Sequence, residues 1–207
     1  KGIVPIKYDR ISQRYDFSLE WLQRKLRYKW PQNDLAQDVL VGFGCLHGGS
    51  VYTDYIFFLQ KFPPIIIQRG AKILAGAGDF IEGLKHQLLE RGEVFGGLNV
   101  TQQERLAAYL VGAVIFKVFE ARFQKSFEAH KDTKENAKPS EEELKNFIQD
   151  SLLHFVYIPG NHDEWQRSLG FTPLAVFKSE LLMFLEKSIE VCLSQGELHC
   201  PGLKNII

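Results

Sequence analysis

The chain has 207 residues, 45% of them hydrophobic, and its 25 Lys and Arg balance 25 Asp and Glu to a formal net charge of zero. That composition supplies one sizeable core and excludes a global field drawing the molecule onto nucleic acid or an anionic membrane surface. No apolar run approaches the ~20 residues of a membrane span, and residues 1–30 mix both charge signs unlike a secretory leader, so a cytoplasmic protein without a membrane partner is expected. Cys45, Cys192 and Cys200 form no CxxC pair, which argues against a disulfide framework or a zinc ribbon. The chain starts at Lys1 instead of Met and stops at Asn205-Ile206-Ile207, where an apolar segment opens; the expectation is a single domain over 1–207, cut short on its C-terminal side.

In chain order, Phe17, Leu19, Trp21, Leu22, Leu26 and Trp30 fall near helical spacing among Arg24, Lys25, Arg27 and Lys29, predicting an amphipathic helix over 15–30 that ends at Pro31. Eight Lys or Arg against three acids in residues 1–30 leave two readings open, a solvated helix face and a contact with a nucleic-acid backbone. Asp38 to Gly44 (DVLVGFG) is a short β-branched apolar run closed by glycine and reads as a buried strand. Tyr52 to Phe62 reads as an aromatic helix closed by Pro63-Pro64, while Lys72 to Ala77 (KILAGA) and His154 to Ile158 (HFVYI) repeat the strand pattern.

Between those last two strands lies a helical insert over about 84–153. A capping box at Thr101 and Glu104 opens its first helix, which carries Leu106, Leu110, Val114 and Val118 and the series Phe119, Phe123, Phe127. Apolar on more than one stripe, this helix is expected to be buried on two sides or against a partner, another protein or a second copy. His130 to Pro139 reads as a charged, solvated loop, Ser140 with Glu143 as a second capping box for a helix to about Leu153, and Leu174 to Leu193 as the last helix. Strands alternating with helices predict an α/β fold whose parallel-rich sheet is covered on its faces.

In an open α/β sheet, ligands bind beyond the carboxyl ends of the strands. Each strand here runs into a cluster there: Gly44-Cys45-Leu46-His47-Gly48, Gly78-Asp79 and Gly160-Asn161-His162-Asp163. Oxygen and imidazole ligands, a carboxylate able to bridge and a proton donor are what a two-metal phosphoester site needs. Gly78-Asp79 alone marks only a strand-to-turn transition; the specific signal is the three clusters in this order, each after a strand.

That series resembles the calcineurin-like metallophosphoesterases, over roughly Val39 to Asp163. The resemblance implies a calcineurin-like sandwich and an enzyme that hydrolyses phosphomonoesters or phosphodiesters, nuclease substrates included, using two divalent metal ions (Mn, Fe or Zn) and a metal-bound hydroxide. Carried onto this chain, it makes His47 a ligand of the first metal, Asp79 the bridge, Asn161 a ligand of the second, and His162 the contact to substrate phosphate that stabilises the transition state or protonates the leaving oxygen. The implied catalytic set is His162, Asn161 and Asp79, and the metal set Cys45, His47, Asp79 and Asn161. Cys45 stands where the family carries aspartate, and its softer thiolate favours Zn or Fe over Mn or Mg. GCLHG resembles the GCxHG string of lariat RNA debranching enzymes in the same family, and its continuation Gly49-Ser50 is similar to the DLHxGS form of microbial and phage phosphoesterases.

No H-x-H or GH string follows Asp163, where the family places further histidines; His199 in GELHCPG is the one histidine downstream. A second reading therefore stands beside the enzyme, a catalytically silent phosphoesterase fold that binds a partner through its apolar insert helix. Other residues take plain readings. Glu82 and His86 are exposed first-turn positions, Asp163 a turn or supporting residue, His130 solvated, His154 hydrogen-bonded in the core, and Cys45, where it is not a ligand, a small buried hydrophobe.

Overall fold

The computed structural model describes residues 6–9, 14–17, 39–83, 93–133 and 138–195. The single domain expected over 1–207 is described as two compact units, Lys1–Asp38 and Val39–Ile207. In the smaller, β1 (Ile6–Asp9) pairs antiparallel with β2 (Arg14–Phe17), in a register that sets Lys7 opposite Asp16 and Asp9 opposite Arg14. The helix expected over 15–30 thus gives way to strand at its start; residues 18–30 lie outside the described residues.

In the larger unit, β3 (Leu40–Gly44), β4 (Ile73–Ala77) and β5 (His154–Ile158) form a wholly parallel sheet in the order β3-β4-β5. Parallel neighbours need crossovers. The first contains α1 (Phe62–Gln68), and the second contains α2 (Val100–Thr133) and α3 (Glu141–Ser151). The helical insert between the second and third clusters is therefore present. A single turn, α4 (Asn161–Glu164), follows β5, and α5 (Ala175–Gln195) is the last described helix. None of the helices is long and apolar enough to cross a membrane among the described residues.

The core lies on one face of the sheet. Phe43, Leu74, Phe155 and Tyr157 point into a cluster with Ile66 of α1, Val111 and Val114 of α2 and Phe177 of α5. Phe80, fully buried just past β4, joins edge-on contacts to Phe43 and Tyr157 at centroid distances of 5.9 and 5.7 Å. On the opposite face, expected to be covered as well, Leu40, Val156 and Ile158 are 56%, 52% and 68% exposed among the described residues. Of the two settings expected for α2, burial on several sides is the one observed, since it packs against α1, α3 and α5, and Phe119 and Phe123 stack 5.6 Å apart in a satellite cluster with Leu144, Ile148 and Ile189.

Several local expectations change. Pro63-Pro64 does not close a helix but begins α1, where a missing amide costs little. The chain enters α1 through a π-helical turn, Phe57–Lys61, and the Leu59 carbonyl, which loses its partner because Pro63 has no N–H, accepts from Lys117 Nζ at 2.9 Å. The box opening α2 is Asn99 with Gln102, their backbone amides and side-chain oxygens paired reciprocally at 2.9 Å. Thr101 lies inside the helix, and Glu104 is buried and accepts from Phe177 N–H at 2.8 Å, capping α5 instead. Ser140 and Glu143 form their box as expected. His130 is helical and buried rather than solvated, while His154 is exposed rather than held in the core. Replacing Phe80 with Ala should cost about 4 kcal/mol, in the range for emptying a buried aromatic site, and urea unfolding measures it.

Candidate metal centre

Register brings the three clusters together. Gly44 of β3 is level with Ala77 of β4, and Ala77 with Ile158 of β5, so all three strands end at one height. Pairing continues beyond them: Cys45 N–H donates to Gly78 O at 3.2 Å, His47 N–H to Asp79 O and Gly48 N–H to Phe80 O, both at 2.8 Å. The second and third clusters interlock as closely. A Cβ on Gly78 would stand 2.9 Å from Gly160 Cα, and one on Gly160 would fall on the amide and carboxylate of Asp79. Only glycine allows this approach.

Asp163 is the clasp. It is fully buried and accepts from Gly160 N–H at 2.8 Å and from Phe80 N–H and Ile81 N–H at 3.2 Å. Burial pushes its carboxyl above the usual range, and the three amide donors pull the other way. The expected supporting role is thus observed.

The predicted residues sit around this clasp. Asp79 Oδ1 accepts from His162 N–H at 3.0 Å, and Asp79 Oδ2 lies 3.8 Å from Cys45 Sγ as acceptor of the thiol. Cys45 is exposed, not a buried hydrophobe; loss of part of its solvent shell, then the Asp79 charge, push the thiol up. His162 Nδ1 is 2.6 Å from the backbone carbonyl of Glu82. A carbonyl only accepts, so Nδ1 carries a proton, and in the neutral ring Nε2 is the nitrogen with the lone pair. The His162 ring stacks on Trp165 at 4.1 Å and meets His47 edge-on at 4.7 Å. Asn161 opens the same turn with its side chain exposed. His86 and His199 lie outside the described residues.

Glu82 corrects the sequence reading. It is 7% exposed, and its Oε2 stands 2.9 Å from His47 Nδ1. That nitrogen is buried without a hydrogen-bond partner, because the pair is close but not aligned for a hydrogen bond. The His47 imidazole and the Glu82 carboxylate, both of types that can ligate a metal, thus stand side by side. Two overlapping sets result, Cys45–His47–Asp79 and His47–Glu82–His162, with the ligand atoms of each within 4.8 Å of one another. The signal for Glu82 was its approach through Phe80 and Ile81, both apolar and both fully buried, which carry the next residue inward.

Cys45, His47 and Asp79 have φ of 53°, 45° and 45°, and they are three of the four non-glycine residues with positive φ among the described residues. Left-handed backbone at such residues is strained and concentrates at functional sites. Searches against family models, curated proteins and solved structures find no match to the chain. Asp163→Asn keeps the side chain's shape but turns an NH2 toward backbone donors; it should lower unfolding free energy by about 2 kcal/mol, read by denaturant titration.

Proposed function

We propose that the chain is a phosphoesterase of the calcineurin-like kind, hydrolysing phosphomonoesters or phosphodiesters with two divalent metal ions. The observation that carries this reading is the convergence of Cys45, His47 and Asp79, and of His47, Glu82 and His162, with the ligand-type atoms of each set within 4.8 Å of one another. In this reading Cys45, His47, Asp79 and Asn161 would hold the ions, with Glu82 and His162 beside them. The thiolate, imidazoles and carboxylates together suit Zn or Fe better than Mn. Bound ions would supply Lewis acidity and a water made nucleophilic at neutral pH.

The chain's own groups do the rest. Water oxygen bonds to phosphorus and loses a proton to His162 Nε2, the phosphorus–oxygen bond to the alcohol breaks, and the alcohol oxygen takes that proton. His162 is the group to manage that proton: its Nδ1–H is engaged by the Glu82 carbonyl, so the exchangeable position is Nε2. The remaining features of the family, its two-sheet sandwich included, belong to this proposal. The free Cys45 thiol suits the reducing cytoplasm, where we take the protein to act.

Elemental analysis of protein purified without chelator tests the centre. Near-stoichiometric Zn or Fe is expected in the parent and loss of metal in Asp79→Ala, while Cys45→Asp should shift the preference toward Mn. With metal loaded, His162→Ala should slow hydrolysis of p-nitrophenyl phosphate or its bis ester by about 100-fold or more. No metal in any form after added Mn or Zn would sink the enzyme reading and leave the binding scaffold.

A further inference from the structure

Against the metal-capable cluster lies a cleft of about 630 Å³, whose lining joins Cys45, His47 and Glu82 to Tyr52, Asp54 and Phe57. That volume suits a small molecule, roughly 300 to 1,000 Å³ being usual. Tyr52 is 78% and Phe57 47% exposed. These rings are not on a slack loop. The Thr53 hydroxyl lies 2.9 and 3.0 Å from the carbonyls of Leu46 and His47, and the Tyr55 hydroxyl donates to Ser50 O at 2.7 Å while accepting from Gly49 N–H at 3.0 Å. Asp54 Oδ1 accepts from Phe57 N–H at 2.8 Å, which orients the start of the helical turn and leaves Oδ2 for another donor. The chain thus ties down a loop that holds two aromatic rings in water at the lining of a polar cleft, where they offer faces for stacking.

The charges of the lining narrow the ligand further. A track for polynucleotide interleaves stacking rings with Lys and Arg along the phosphates. Here the rings are present, yet among the described residues the lining includes Asp54 and Glu82 and no Lys or Arg. A chain of phosphates is poorly served by such a wall, whereas one phosphate at the metal-capable cluster with an uncharged planar group beyond it is well served.

We infer that the cleft takes the base of a small nucleoside phosphate, stacked on Tyr52 and Phe57 with Asp54 Oδ2 accepting from an exocyclic amine or a ribose hydroxyl. As a statement of substrate class this rests on the hydrolase reading, but base binding itself needs neither metal nor turnover.

The test therefore begins with adenosine titrated into the full chain without added metal, followed by calorimetry or NMR. Saturable binding is expected, weakened about ten-fold in Tyr52→Ala or Phe57→Ala, the scale of one lost stacking contact, and retained in Tyr52→Phe. Tyr52 and Phe57 are both exposed, so their replacement is expected to leave the fold intact, which circular dichroism checks. No adenosine binding by the parent, or equal binding by the alanine variants, overturns the inference. Metal-loaded protein should then cleave AMP with a higher kcat/KM than glycerol phosphate, a preference that Tyr52→Ala removes. Ring-dependent adenosine binding without hydrolysis of either ester places the failure in the hydrolase reading. Equal hydrolysis of both, unaffected by Tyr52→Ala, places it in the cleft.

Discussion

Three backbone amides from two loops donate to one buried carboxylate, that of Asp163, and the candidate centre depends on this clasp. A carboxylate taken out of water is costly unless it is bonded, and Asp163 meets that cost with donors the loops would otherwise leave unpaired. The same contacts hold Gly160 against Asp79 and put the His162 amide on the Asp79 carboxylate. Without the clasp, the second and third clusters would be two ordinary loops at the ends of neighbouring strands. With it, the Asp79 carboxylate and the backbone amide of His162, from distant parts of the chain, are held within a hydrogen bond of one another.

Strain is placed with similar economy. The backbone turns left-handed at Cys45, His47 and Asp79, where glycine would be comfortable but would offer no ligand. Each conformation costs on the order of 1 kcal/mol or more, and the extended ladder of amide bonds past β3 and β4 over-determines it. Thiol, imidazole and carboxylate side chains thereby leave the backbone at its three strained positions, all at one end of the sheet.

Much of this arrangement is legible in the primary structure. The three strands are short apolar runs that end in glycine or proline, and period and length suffice to recognise them. The order of the clusters gives their convergence, because parallel strands in register must deliver their ends to one edge. What stays hidden is decided by contacts across long sequence distances. Asn99-x-x-Gln102 and Thr101-x-x-Glu104 are equally good capping strings, and the choice falls to the first because the carboxylate of Glu104 is needed by Phe177 on α5. Pro63-Pro64 reads as a stop until Lys117, on another helix, supplies a donor to Leu59. Glu82 looks like an exposed acid until His47, 35 positions earlier, is found beside it. His130 lies in a charged stretch yet is buried, edge-on to Phe147 at 5.7 Å.

The register of β4 with β5 also governs how the protein comes to have a centre at all. Asp79 and His162 are separated by 83 positions, with α2 and α3 between them. Closing so long a loop is an entropic expense met only once distant contacts form, and topologies rich in such pairings fold slowly. The first two clusters can meet through the short crossover of α1, but the third arrives only when β5 has docked. During synthesis, a ribosome that has released α2 and α3 has therefore produced helices and half a site. The meeting of all three clusters thus waits for β5, a long-range step that the local helices cannot substitute for.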